Sequence, residues 1–276
     1  MREQLAISGR KAWLLLFVAA AGTAALAAAG WIALREAPEA EPARAPTDQR
    51  FSEPAIAKEQ LRGSTPDVRS LSPAEQLRLA FATVFGNAAS AIRTIDGKTL
   101  TYTPAALEWI DDKAVLLSFG QNALDCHACF GTIGIHYLTP KGDRFEVSGA
   151  WPTQIGGAAW GAPTNDMSIS RNFSSYPVVM SEFGDMNQGC SYGGVSLTEL
   201  RPEEPSRWGS VRTGFSNANP YSEGDRIKNV SGEITDIQKD RSFKVVYKGD
   251  DSFTETYVRR GSKFVLTAKE TRMPVC

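Results

Sequence analysis

"GEITDIQKDRSFKVVYKGDDSFTETYVRRGSKFVLTAK", Gly232 to Lys269, carries the pattern from which the fold class is read. Phe243, Val245 and Tyr247 alternate with Lys244, Val246 and Lys248. Phe253, Glu255 and Tyr257 share one parity, and Phe264 and Leu266 another. A period of two sends successive side chains to opposite faces of a strand. Lys239-Asp240, Gly249-Asp250-Asp251 and Arg260-Gly261-Ser262 interrupt the runs with residues that favour turns. Four short strands with tight connections predict an antiparallel meander.

The same grammar extends towards the N-terminus. "AIRTIDGKTLTY" from Ala91 holds Asp96-Gly97, a strong hairpin signal, because such a pair adopts the left-handed conformations that a tight strand reversal needs. "ALEWIDDKAVLLSFG" breaks two apolar runs at Asp111-Asp112, and "GTIGIHYLTPKGDRFEVSGAW" breaks two more at Pro140 to Asp143. "SYPVVMSEFGDMNQGCSYGGVSLTEL" reads as a further pair with a Gly-rich connection. Ahead of these strands lies one helix. Ser72, Pro73 and Glu75 fit a capping box with proline at the first helical position. Leu77, Ala80, Phe81, Val84 and Phe85 then line one helical face, and Gly86-Asn87 marks the stop. The expectation is a mainly β fold: a short amphipathic helix, then an antiparallel β sandwich or curled sheet in one domain over 71–276. A division into two β subdomains near Arg201 to Ser210 is the alternative. No repeat of fixed period is present.

The N-terminal quarter differs in kind. Ala12 to Leu34 contains no charged residue over 23 positions, long enough to span a bilayer as a helix. Arg2, Arg10 and Lys11 precede it, which favours a cytoplasmic N-terminus, and Trp13 and Trp31 sit near its ends. The competing reading is a cleaved signal peptide, with Ala25-Leu26-Ala27 or Ala27-Ala28-Ala29 as the cleavage site, but a signal core is usually shorter. Residues 1–11 then form a cytoplasmic stub and 12–34 the anchor. Residues 35–70, rich in Pro, Ala and mixed charge, form a flexible linker that cannot bury enough surface to order itself. The expected location is the inner (cell) membrane, single-pass, with the C-terminal domain on the extracytoplasmic, periplasmic side.

Across its 276 residues the chain is 42% hydrophobic and 22% charged, with net charge -1. A globular core is feasible, and without a block of like charge nucleic acid is not an expected partner. Candidate sites concentrate in "ALDCHACFGTIGIHYL", Ala123 to Leu138, which contains both histidines and two of the four cysteines. An even cysteine count in an oxidising compartment predicts disulfides among Cys126, Cys129, Cys190 and Cys276; of the three pairings, Cys126–Cys129 with Cys190–Cys276 is slightly favoured over those that tie the Cys126–Cys129 segment to Cys190 and Cys276. A second reading makes Cys126, His127, Cys129 and His136 ligands of zinc or copper, although a structural zinc site normally brings a second cysteine pair. A third is thiol–disulfide chemistry, which lowers a cysteine pKa with a helix N-terminus; the glycines and isoleucines that follow describe a strand instead. No cofactor is otherwise indicated. Ser148 to Asp166 carries Trp151 and Trp160 without strand periodicity, and Asn187, Gln188 and Tyr192 lie in a Gly-rich loop. These five are candidate binding residues on loops. No nucleophile elbow, phosphate loop or metalloprotease motif is present. The expected function is a membrane-anchored binding protein of the envelope, of accessory, inhibitor or immunity type, with a protein partner. A metal-binding or thiol-redox protein centred on Cys126 to Cys129 is the alternative.

Overall fold

The computed structural model describes residues 67–275, apart from 88, 188 and 219–226. The expected stub, the anchor, Gln188, Cys276 and most of the expected linker lie outside the described residues. Among the described residues no helix is long and apolar enough to cross a membrane.

Period-two alternation and turn residues produce two antiparallel meanders whose strand order follows the chain. The first contains β1 (Ala91–Ile95), β2 (Lys98–Ile110), β3 (Lys113–Asn122), β4 (Thr132–Lys141) and β5 (Arg144–Gly156). The second contains β6 (Met167–Ser170), β7 (Val178–Asn187), β8 (Cys190–Leu200), β9 (Pro205–Ser216), β10 (Asn229–Gln238), β11 (Ser242–Gly249), β12 (Phe253–Arg260) and β13 (Lys263–Leu266). The β1–β2 hairpin turns on Asp96 (φ 50°) and Gly97 (φ 75°), both left-handed, which matches the twist of the strands they join. The expected C-terminal meander is β10 to β13, with Val245 paired to Ile234 on one side and Glu255 on the other.

The one α-helix among the described residues, α1 (Pro73–Phe85), starts at the expected capping box. The Glu75 carboxylate accepts from the Ser72 amide at 3.0 Å, and Ser72 Oγ accepts from the Glu75 amide. Gly86 ends it in the left-handed conformation, φ 75°. Its apolar face, Ala80, Phe81 and Phe85, packs on Leu100, Tyr102, Leu116 and Leu138 of the first sheet. The opposite face of that sheet presents Val115, Leu117, Ile133, Ile135 and Tyr137, which pack with Val179 of β7 and Leu200 of β8. Central strands β3 and β4 therefore read as nearly continuous apolar runs, because both of their faces are covered. Residues 67–70 of the expected linker belong to the fold: Val68 is fully buried, and its amide donates to the Gly142 carbonyl at 2.8 Å.

The second sheet curls on itself into a half-barrel. β13 returns to β9, where the rings of Phe264 and Trp208 are 4.6 Å apart. Phe173, Leu197, Val211, Phe243, Val245 and Tyr247 fill the interior. A buried carboxylate, Glu255, fastens the C-terminal segment across it. Glu255 accepts from the Thr271 hydroxyl and the Arg272 amide, each at 2.7 Å, and Met273 is buried beside it.

Two expectations are corrected. Ser148 to Asp166 is strand as far as Gly156, because β5 continues through Trp151 and Pro152. Register shifts where β5 pairs with β4 break the period of two, and an edge strand tolerates a proline. The break between sheets falls at 157–166, not near Arg201 to Ser210, where β8 and β9 pair directly.

Candidate functional site

Three connections meet on one rim of the molecule: 122–131 between β3 and β4, 157–166 between β5 and β6, and the β7–β8 hairpin end. The first two are laced together by backbone. Asn122 donates to the Gly161 carbonyl at 2.9 Å, Gly131 to Ala162 at 3.1 Å and Gly157 to Gly131 at 2.9 Å; Gly161 also donates to Cys129. The chains approach so closely that a Cβ at Gly131 would lie 2.5 Å from the Ala162 carbonyl carbon, and one at Gly157 2.3 Å from its oxygen. Only glycine fits at either position.

Cys126 and Cys129 form a disulfide across this turn, and Cys129 donates its amide to the Cys126 carbonyl at 2.9 Å. His127, held between them, reaches the β7–β8 hairpin, where its Nε2 lies 2.6 Å from Asp185 Oδ1. The approach is off the line of a hydrogen bond, so this is a close polar contact rather than an aligned N–H···O pair. Tyr192 donates its hydroxyl to the other Asp185 oxygen at 3.3 Å. Burial, followed by the Asp185 charge, pushes the Tyr192 hydroxyl pKa up, which keeps it a donor. Trp160 meets the His127 ring edge-on, with centroids 5.4 Å apart.

The rim exposes four large apolar side chains beside polar ones. Leu124 is 66% exposed, Met186 62%, Trp160 57% and Phe130 37%. Trp160 has φ 59°, a left-handed conformation that a bulky side chain adopts at a cost of about 1–3 kcal/mol. The lacing through Gly161, its neighbour at φ 75°, holds it there.

Of the residues singled out from sequence, the rim unites His127, Trp160 and Tyr192, with exposed Asn187 on the same hairpin. Trp151 is elsewhere: half-buried, it packs on Tyr137 with ring centroids 5.3 Å apart. The proposed ligand set of Cys126, His127, Cys129 and His136 is not assembled. Both sulfurs are bonded to each other and carry no thiolate, and His136 lies buried on β4 against Phe85, with centroids 5.3 Å apart. Burial pushes the His136 pKa down to about 4, so its imidazole is neutral at ordinary pH. Among the described residues no group of three or more His, Cys, Asp or Glu side chains is placed to hold a metal ion. Cys190 is disulfide-bonded, while its expected partner Cys276 lies outside the described residues.

Asp185, Leu124, Phe130 and Met186 escaped the sequence reading. Nothing in the local pattern marks an apolar residue in a turn as displayed rather than buried. A second concavity, about 850 Å³, lies where Glu199, Arg201, Asp240 and Arg259 meet. Glu199 is fully buried, accepts from the Ser174 hydroxyl and from Arg201 Nε at 2.6 Å, and forms an ion pair with Arg259 at 3.5 Å. Arg259 also binds Asp240 at 2.5 Å. The buried Glu199 charge is thus satisfied by its partly exposed neighbours, as in a structural network. The rim instead leaves its largest apolar groups in water. No family model, curated protein or solved structure matches the chain.

Proposed function

We propose that this protein is a membrane-anchored binding protein whose extracytoplasmic β domain docks a protein partner through the Trp160 rim. The observation that carries the reading is an exposed tryptophan in a left-handed conformation, among exposed Leu124, Phe130 and Met186. Contiguous exposed apolar surface marks contact sites, and Trp and Met are enriched at protein interfaces. A backbone fixed by the Cys126–Cys129 turn and the glycine lacing loses little conformational entropy on binding, which favours affinity. The uncharged Ala12 to Leu34 segment supports the anchor, and its flanking charges support a cytoplasmic N-terminus.

A photo-crosslinking amino acid at Met186, compared with one at Val147 on β5 outside the rim, tests this in membranes of the source cell. The expected result is a discrete protein adduct from Met186 that is absent from Val147 and lost with Trp160→Ala. Adducts of the same pattern from both positions, or none from Met186, would refute the reading.

A further inference from the structure

We infer that the Cys126–Cys129 disulfide is a redox switch, which a dithiol opens in the folded protein to release Trp160 from its display. The inference rests on the reading of the rim as the docking site and adds its regulation.

The bond lies where a reductant can reach it. Cys126 and Ala128 are exposed and Cys129 is half-buried. The other oxidised cysteine among the described residues, Cys190, packs against the core of the half-barrel. Exposed disulfides are the labile and regulatory ones. A separation of three residues closes a short loop, which adds less to global stability than a long closure does. The turn leads into strand β4, not into the helix N-terminus that activates an attacking cysteine. The pair is therefore the substrate of exchange rather than its catalyst.

The dithiol is the only reactant the exchange needs. One of its thiolates attacks Cys126 Sγ, the S–S bond breaks, and Cys129 leaves as a thiolate. The second thiolate then attacks the dithiol's own sulfur in the mixed disulfide and expels Cys126. Two electrons and two protons pass to the protein, and the dithiol becomes a disulfide.

The same turn holds Trp160. A left-handed backbone is unfavourable for a bulky residue and persists only while its surroundings impose it. The Cys129 carbonyl accepts from the Gly161 amide, and the His127 ring lies edge-on to the indole. Both restraints come from the loop that the disulfide closes, and opening the bond loosens both. The Gly131–Ala162 and Gly157–Gly131 hydrogen bonds lie outside that loop and remain. Reduction thus frees the rim without unfolding the sheets. A loosened rim must be ordered again on binding, which weakens docking.

The test treats the full chain, in a non-ionic detergent, with graded dithiothreitol, then maps free thiols by alkylation and peptide mass. Cys126 and Cys129 are expected to open at a concentration at least about tenfold below that which opens Cys190. At that concentration hydrogen exchange at 122–131 and 157–162 accelerates at least about tenfold, and reoxidation restores the original rates. Exchange across β10 to β13 stays unchanged. Cys190 opening first or together with the pair, unaltered exchange at 157–162, or acceleration across β10 to β13 overturns the inference. Cys126→Ser with Cys129→Ser should show the reduced rates without dithiol; a further acceleration when dithiol is added places the effect elsewhere and also overturns it. These readouts need no partner. In membranes, the Met186 adduct of the same double variant falls at least about fivefold. An adduct of unchanged yield overturns the switch and leaves the rim as the docking site, whereas no adduct from the oxidised protein refutes the docking reading alone.

Discussion

The half-barrel and the rim treat polar and apolar groups in opposite ways. In the half-barrel, Glu255 is buried yet accepts from the Thr271 hydroxyl and the Arg272 amide, with the Tyr247 and Tyr257 hydroxyls at 3.1 and 3.2 Å. Phe243 and Tyr247 are stacked on Tyr257 and Phe253. Apolar groups are inside, and each buried carboxylate is satisfied. At the rim, Leu124, Trp160 and Met186 face water while a left-handed Trp160 is held by its neighbours. One region buries its large apolar groups and the other exposes them, and the exposed ones lie on connections carried by the sheets.

That contrast can be broken from the stable side first. Phe243→Ala removes a fully buried ring at the centre of the half-barrel, and the loss is expected at about 3–5 kcal/mol in denaturant unfolding. A cost below about 1 kcal/mol would mean that the half-barrel is not the source of stability. His136 gives the next effect. Its folded pKa of about 4 lies below the ordinary 6.5, so the unfolded chain takes up the proton first as pH falls. Its contribution is complete above pH 6.5 and is lost progressively between there and about pH 4, a total of about 3 kcal/mol. Unfolding curves across that window should show the loss, and His136→Phe should flatten that part of the profile.

The remaining two predictions address the rim. Cys126→Ser with Cys129→Ser removes a short covalent closure, and loop-closure entropy predicts a cost of about 2 kcal/mol. The damage should stay local: hydrogen exchange should rise at 122–131 and 157–162 and remain unchanged across β10 to β13. Uniform acceleration would show that the rim and half-barrel are one cooperative unit. Trp160→Gly has the smallest and most telling effect. It relieves the left-handed conformation, so stability should stay level or rise by up to about 1 kcal/mol, while the Met186 crosslink disappears. A clear loss of stability would mean that Trp160 packs rather than displays.

The two histidines show how far the sequence could be read. Both lie in one stretch with two cysteines, and spacing alone suggested a shared metal site. Nine positions of chain separate them into different surroundings: His127 in a turn at the rim, His136 under α1 against Phe85. Asp185, which meets His127, comes from a strand of the other sheet, and no sequence interval announces that meeting. The helix cap and the hairpins were readable because each rests on neighbouring residues. The end of strand β5 past Trp151 escaped the sequence reading because its register shifts erase the alternation that marks a strand.

By itself the sequence determined the mainly β class, the C-terminal meander and the capping box of α1. These are set by local chemistry: parity of side chains, left-handed turn residues and a capping pair three residues apart; the partner of each cysteine was left open and the fold decided that Cys126 joins Cys129. Tertiary structure alone decided where the sheets divide, how the second one curls, and which turns gather at the rim. Those outcomes depend on contacts between distant segments, where packing both faces of the first sheet leaves its connecting turns to meet at one edge. The exposure of Trp160 follows from that meeting, because the Gly161 and Gly131 lacing, not the tryptophan's own preference, fixes the backbone that presents it.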